Sequence, residues 1–278
     1  MCPLCESTDY AIKFDLRTVT NPLAVPGLVV RCRHCAMWFK VVDDERRIAA
    51  AYRDDYAGVE GTDDYMTGDA ARAFFRGVLL DVGTRGALLD IGAGQGALVE
   101  EATQLGFDAM GVDRCEPLAR TARARGLRVE TGTVEDVTGS NRFDVVTMMD
   151  VIEHVPGPRR LLAVAHRLLK PGGRLVVYTP NHRGAVVTLA KACHAIGATV
   201  GVREIFGGNH VCFFDDHSLP RALAAQSFEV ERLQLSPYDP RRPGGPVSRV
   251  SLAAITLVET LGRPFGRVFR MLAFATKA

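Results

Sequence analysis

Several things are scarce in this sequence, and each scarcity removes a class of function. The 278 residues carry a net charge of only +2, with no lysine- or arginine-rich block, so composition gives no electrostatic footprint for nucleic acid. The most apolar stretch, GAVVTLAKACHAIGATVGV, is interrupted by Lys191, His194 and several glycines, and it is not expected to span a membrane. The opening MCPLCESTDY has neither the basic nor the apolar region of a secretory leader. A cytoplasmic location with reduced thiols is therefore the default expectation. There is no internal repeat and no low-complexity tract. What remains is ordinary globular composition, 47% apolar and 24% charged, suited to one large domain or a main domain with an appendage.

Four of the seven cysteines form two pairs, CPLC (Cys2, Cys5) and CRHC (Cys32, Cys35). Each C-x2-C turn presents two thiolates, and two such turns complete a tetrahedron. Strand-like YAIKF and LVVRC flank a proline-rich loop, NPLAVPG. Residues 1–42 thus read as a zinc ribbon, with free thiols or disulfides as the alternative. Four thiolates close the shell around Zn(2+), so the metal is expected to be structural and His34 a bystander. Cys115, Cys193 and Cys212 are scattered and read as ordinary buried residues. Residues 43–80 form a helical connector. Its Tyr52, Tyr56 and Tyr65 are placed to cover a ligand, although packing is the commoner fate of such tyrosines.

From residue 81 to 278 short apolar runs alternate with amphipathic helical stretches. ALLDIG, DAMGVD, LRVETGT, FDVVTMMD and RLVVYTP read as strands. GALVEEATQLG, EPLARTARARG and PRRLLAVAHRLL read as helices, the last stopped by Pro171-Gly172-Gly173. This alternation predicts an α/β fold with a parallel sheet and helices on both faces. FEVERLQLS and FRMLAFATK read as late strands. Two insertions, near 182–208 and 237–268, are placed to shape a pocket. The second is amphipathic and basic at its ends. Over 248–268 it reads as a lid, a contact between copies in an oligomer, or a helix lying on a membrane surface, with plain packing the commonest fate.

Ligands in such sheets bind at the carboxyl ends of the strands. Gly92, Gly94 and Gly96 follow the first strand of the alternation and permit a tight turn and close approach of a ligand to the backbone. Asp113 ends the next strand, where a carboxylate accepts two ribose hydroxyls. Those two features serve NAD and S-adenosylmethionine (SAM) equally. Asp90, just before the glycines, opposes a pyrophosphate but suits an ammonium and a sulfonium.

Residues Leu88–Asn181 resemble the class I SAM-dependent methyltransferases, with motifs in order: LLDIGAGQG, GVD, TVEDV, FDVVTMMDVIEHV and LLKPGGRLVVYTPN. The resemblance implies a seven-stranded Rossmann-like sheet with its last strand antiparallel. It assigns Asp90, Gly92, Gly94, Gly96, Asp113, Val134, Glu135 and Met149 to S-adenosyl-L-methionine. The cysteine head is similar to the zinc-binding head on some methyltransferases of sugar and natural-product pathways. Sugar C-methyltransferases of that kind carry a further large domain, which these residues do not contain.

Transfer of a methyl from a sulfonium to oxygen or nitrogen requires alignment and, where needed, a base. His154, His182 and His210 lie past the fourth strand, past the fifth, and before the late part of the fold. Each is a candidate base beside the reading of a hydrogen-bonded structural histidine. Asp150, Glu153 and His154 are also spaced i, i+3, i+4, which on one helical turn would hold a divalent ion such as Mg(2+). The segment resembles E-x-x-E-H of ubiquinone-pathway O-methyltransferases, with Asp for the first Glu; the metal-free reading is preferred. Asp215, Asp216 and His217 read instead as a capped helix start with Pro220 in its first turn. The expected reaction is methyl transfer to a small-molecule acceptor, first to an oxygen of a sugar, natural-product or quinone-like compound. N- or C-methylation, a nicotinamide-dependent oxidoreductase and a catalytically inactive zinc-ribbon adaptor are the alternatives.

Overall fold

The computed structural model of the chain describes residues 1–18, 24–42, 48, 67–237 and 249–278. Tyr52, Tyr56 and Tyr65 lie outside the described residues.

The head is built from β1 (Tyr10–Asp15), β2 (Leu28–Cys32) and β3 (Trp38–Val41), paired antiparallel in that order. The cysteine knuckle 32–35 closes the β2–β3 turn, with Ala36 in the left-handed region at φ 66°. Helix α1 (Asp69–Asp81) follows, burying Ala71, Phe75, Val78 and Leu79 on one face. The alternation then begins: β4 (Ala87–Ile91), α2 (Ala97–Gln104), β5 (Asp108–Asp113), α3 (Glu116–Ala124), β6 (Val129–Thr131), β7 (Phe143–Met149), α4 (Pro158–Leu168) and β8 (Leu169–Pro180). The first insertion, near 182–208, holds α5 (Ala185–Ala195) and α6 (Val200–Phe206), and the short β9 (Cys212–Phe213) and α7 (Ser218–Ala224) follow it. The chain ends with β10 (Phe228–Ser236), α8 (Arg249–Gly262) and β11 (Arg270–Lys277).

The main sheet has seven strands in the order β10-β11-β8-β7-β4-β5-β6. Strands β4 to β8 run parallel, and β11 is antiparallel to β8 and β10. This is the Rossmann-like methyltransferase sheet that the motifs imply. Its central strands are apolar on both faces because helices cover both. Leu161, Leu162, Ala165 and Leu168, spaced three and four apart, all turn into the core from α4. That helix stops at Leu168 rather than at Pro171-Gly172-Gly173, because the residue before a proline favours extended backbone. Leu169 already pairs with Phe143, and the proline–glycine stretch sits inside β8 where the register shifts.

One connection was not legible. Strand β9 joins the head, not the main sheet, giving a second sheet of order β1-β2-β3-β9. The head also shares its core with the main sheet: Val30, Met37 and Phe39 belong to the same buried cluster as Ile152, Phe214 and Leu219. No helix among the described residues is long and apolar enough to cross a membrane. Helix α8 packs against α5 but leaves Leu257 and Leu261 exposed on one face, with Phe265 just beyond its end.

Candidate functional site

Every residue that the sequence assigns to the cofactor lies at the carboxyl ends of β4 to β7. Gly92, Gly94 and Gly96 all adopt left-handed backbone, at φ 74°, 53° and 80°. A Cβ on Gly92 would stand 2.5 Å from Val151 Cγ2, and one on Gly96 would stand 2.8 Å from Leu127 Cδ1. Both the conformation and the space therefore require glycine.

Two acids frame that loop. Asp113, at the end of β5, accepts the Gly94 N–H at 2.7 Å and the Cys115 N–H at 2.8 Å, one on each carboxylate oxygen. Each oxygen keeps a second lone pair for a hydroxyl. Burial raises the Asp113 carboxyl, and the two amides pull it back. Asp90 is 3% exposed and accepts the Thr147 hydroxyl at 2.6 Å. Burial pushes Asp90 up to about 7, against the Thr147 bond and with Asp113's charge adding to the rise. A nearly proton-poised carboxyl of this kind gains by meeting a cation.

Val134 is buried in a 3-10 turn, Val134–Asp136, capped by Thr133 and Asp136. The adjacent Glu135 reaches Arg160 at 3.5 Å. Met149 is half-buried at the end of β7.

The three histidines, far apart in sequence, meet. His154 ends a 3-10 turn (Ile152–His154) after β7, His182 follows β8, and His210 precedes β9. The rings of His154 and His210 stand edge to face with centroids 4.6 Å apart, and those of His182 and His210 are 6.4 Å apart. Burial drives all three down: His154 to about 4, His182 to about 3, and His210 well below its ordinary value. The positive charge of Arg270 opposes protonation of each. His154 and His182 are therefore neutral imidazoles at pH 7. His182 Nδ1 lies 3.2 Å from the Phe214 carbonyl, and its Nε2 is buried without a hydrogen-bond partner.

The carboxylates are arranged differently from the sequence expectation. Asp150 takes a left-handed backbone, φ 54°, so no helical turn runs from it to His154. Its carboxylate pairs with Arg270 on β11 instead. Glu153 is fully buried and accepts the Thr179 hydroxyl at 2.9 Å, while its Oε1 has no partner. Burial, with the Asp150 charge adding, raises Glu153 well above its ordinary value. The group whose donor atoms gather within 4.8 Å is Glu153, His154 and His210, without Asp150. Two imidazoles and a single carboxyl do not fit Mg(2+), which demands an octahedron of oxygens. The site residues that sequence reading missed are Arg270, Thr147 and Thr179. Arg270 is 8% exposed, and its burial beside Asp150 arises only from strand pairing.

In the head, the Cys2, Cys5, Cys32 and Cys35 sulfurs lie within 4.8 Å of one another, with Cys2–Cys35 at 3.5 Å and Cys5–Cys32 at 3.6 Å. These separations exceed a disulfide bond of about 2.05 Å and match the edges of a tetrahedron about a metal with bonds of about 2.3 Å. His34 is exposed. Asp215 accepts the His217 and Ser218 N–H groups at 3.1 and 2.7 Å just ahead of α7, whose N-cap position is His217.

Comparison with known proteins agrees with this geometry. The family model described as a methyltransferase domain matches residues 67–233. A ubiquinone biosynthesis O-methyltransferase from Xanthomonas oryzae pv. oryzae is 34% identical over 163 residues, covering 54% of this chain and 65% of that protein. The protein of the same description from Caulobacter vibrioides is 38% identical over 150 residues, covering 51% and 54%. The chain thus spans less than two thirds of the length of these relatives. A SAM-dependent methyltransferase structure from Archaeoglobus fulgidus superposes with TM-score 0.54 at 18% identity, over 78% of this chain and 98% of that one, a likeness of fold.

Proposed function

The chain belongs to the methyltransferase-domain family, matched over residues 67–233, and on that premise we propose that it moves a methyl group from SAM to a hydroxyl oxygen of a quinone-like small molecule. The observation that carries this reading is the meeting of His154, just past β7, with His210, just before β9, both half-buried, beside the sheet whose β4 and β5 carry Asp90 and Asp113. Relatives described as ubiquinone biosynthesis O-methyltransferases support the oxygen acceptor.

When bound, SAM supplies an electrophilic methyl on a sulfonium; its C–S bond breaks as the C–O bond forms, leaving S-adenosylhomocysteine and one proton. Asp113 would accept the ribose hydroxyls, Asp90 would meet the ammonium, and the backbone of Gly92, Gly94 and Gly96 would admit the amino-acid part, with Val134, Glu135 and Met149 bordering the adenine. His154 takes the acceptor's proton, and His210 holds its ring by edge-to-face contact. A depressed imidazole is a weak base, so the acceptor is an acidic hydroxyl such as a phenol or enol rather than a sugar alcohol. Arg270 stabilises the oxyanion as the proton leaves. The four head cysteines hold one structural zinc, closed to water. Calorimetry with SAM, S-adenosylhomocysteine and NAD tests the frame: binding of the first two and not the third is expected, and binding of NAD alone overturns it.

A further inference from the structure

We propose that the metal-binding head positions His210, so that zinc in the head sets the rate of methyl transfer without setting cofactor affinity. Only the turnover arm of its test rests on the function proposed above. His154 and His210 belong to different sheets. His154 follows β7 of the main sheet. His210 immediately precedes Val211 and β9, the fourth strand of the head's own sheet. The pair therefore stands on the seam between the two.

The segment carrying His210 is gripped from both sides. From the head, the Lys40 N–H donates to the Val211 carbonyl at 2.8 Å and the Val25 N–H to the Gly208 carbonyl at 3.3 Å. The Lys40 ammonium donates to the same Gly208 carbonyl at 2.7 Å. Trp38 and Phe39 pair with Phe213 and Cys212. From the main domain, the Val211 N–H donates to the Glu153 carbonyl at 2.8 Å, and the His182 N–H to the Phe214 carbonyl at 2.8 Å. Glu153 directly precedes His154, so one backbone bond ties the two histidine segments, and the head fixes the other edge.

The metal knuckle is what orients that edge. Cys35 lies three residues before β3, and the Cys32 N–H closes the turn on the Met37 carbonyl at 2.9 Å. Val30, Met37 and Phe39 share the main core, but the two knuckles converge through their four sulfurs, so bound metal supplies much of this turn's order. Loss of the ion loosens β3, and with it the Lys40 contacts at Gly208 and Val211. His210 then leaves the ring of His154. The cofactor residues sit at the carboxyl ends of β4 to β7, while the hydrogen bonds of β3 among the described residues reach β2, β9 and the segment before it. Lys40 is thus a positioning residue. It is 6% exposed, and its desolvated ammonium is committed to the Gly208 carbonyl.

The test uses the full chain, as purified, after zinc chelation and after zinc is restored. Four readouts apply: metal content, amide exchange in residues 207–214, S-adenosylhomocysteine affinity, and turnover of 3,4-dihydroxybenzoate as a probe acceptor. Trp38, the single tryptophan, reports docking of β3 by fluorescence. Chelation should speed exchange in 207–214 by about tenfold or more. It should lower kcat by about a hundredfold while affinity for S-adenosylhomocysteine stays within about twofold, and zinc should reverse these changes. Lys40→Met should keep its zinc and cofactor affinity and lower kcat with KM unchanged; if it does not fold, the chelation arm decides alone. Unchanged protection of 207–214 after zinc is removed overturns the proposal, as does loss of cofactor affinity in step with turnover. If the zinc-loaded chain does not methylate the probe, the acceptor reading fails, and the exchange arm still decides the role of the head.

Discussion

Replacing Asp113 by alanine isolates the cofactor frame from the chemistry. Asp113 closes β5 and holds the glycine loop through the Gly94 N–H at 2.7 Å and the start of α3 through the Cys115 N–H at 2.8 Å. Its two remaining lone pairs face the ribose position. Removing a charged acceptor from such hydrogen bonds costs about 1.5–3 kcal/mol, which is a fall in affinity of about ten- to a hundred-and-fifty-fold. The Gly94 amide loses its partner as well, which places the result toward the upper end. The chain should still fold, because the other strand and helix contacts of β5 remain: Ala109, Met110 and Val112 are buried in the core. Titration calorimetry with S-adenosylhomocysteine reads the loss, and thermal melting checks the fold. A folded Asp113→Ala protein with unchanged affinity refutes the ribose assignment.

Asp90 predicts a pH effect whose sign is fixed. Burial lifts it to about 7, above the ordinary carboxylate range of about 4, so its contribution to stability is full below about 4 and is lost as the pH rises through about 7. Asp90→Asn should flatten the decline in melting temperature of the cofactor-free chain across that window, and an unaltered profile would contradict the burial argument. In the wild type, binding of cationic SAM should release a proton near pH 6, seen as a dependence of binding heat on buffer ionisation; no such dependence separates Asp90 from the ammonium. His154→Ala should lower kcat by about 10²–10⁴-fold and leave S-adenosylhomocysteine affinity intact, and full turnover would remove His154 as the base. Gly92→Ala places a Cβ 2.5 Å from Val151 Cγ2 at φ 74°. Left-handed strain alone costs about 1–2 kcal/mol, and the contact adds to it. Chemical denaturation with an unshifted midpoint would show that the loop relaxes freely.

The parallel sheet was legible because its signals are local. Each of β4, β5 and β7 is a short run of strand residues behind which the period changes to that of an amphipathic helix. The glycines and Asp113 announce themselves by their place at strand ends, where backbone conformation restricts the residue type. The cysteine head was legible for a similar reason, since two C-x2-C turns constrain four side chains at once. What escaped is what only chain-distant pairing creates. Strand β9 is two residues long and has no pattern of its own, yet Lys40 reaches Gly208 across 168 residues of sequence. Arg270 reads as the polar start of a late strand until pairing with Pro180 buries it beside Asp150. The spacing of Asp150, Glu153 and His154 misled because it presumes a helix, and the left-handed Asp150 turns its carboxylate away. His154 and His182 were placed past strand ends and His210 before the late part of the fold, but nothing in the sequence brings His210 to within ring contact of His154.

The central claim is that this frame carries a methyl group from SAM to an acidic hydroxyl. Incubation of the zinc-loaded chain with SAM and 3,4-dihydroxybenzoate, followed by mass spectrometry and fragment analysis of the product, tests it most directly. The account predicts a mono-methyl ether formed in step with S-adenosylhomocysteine, and abolished by Asp113→Ala at limiting SAM. A methyl group found on ring carbon, or S-adenosylhomocysteine never appearing although SAM is bound, would contradict it.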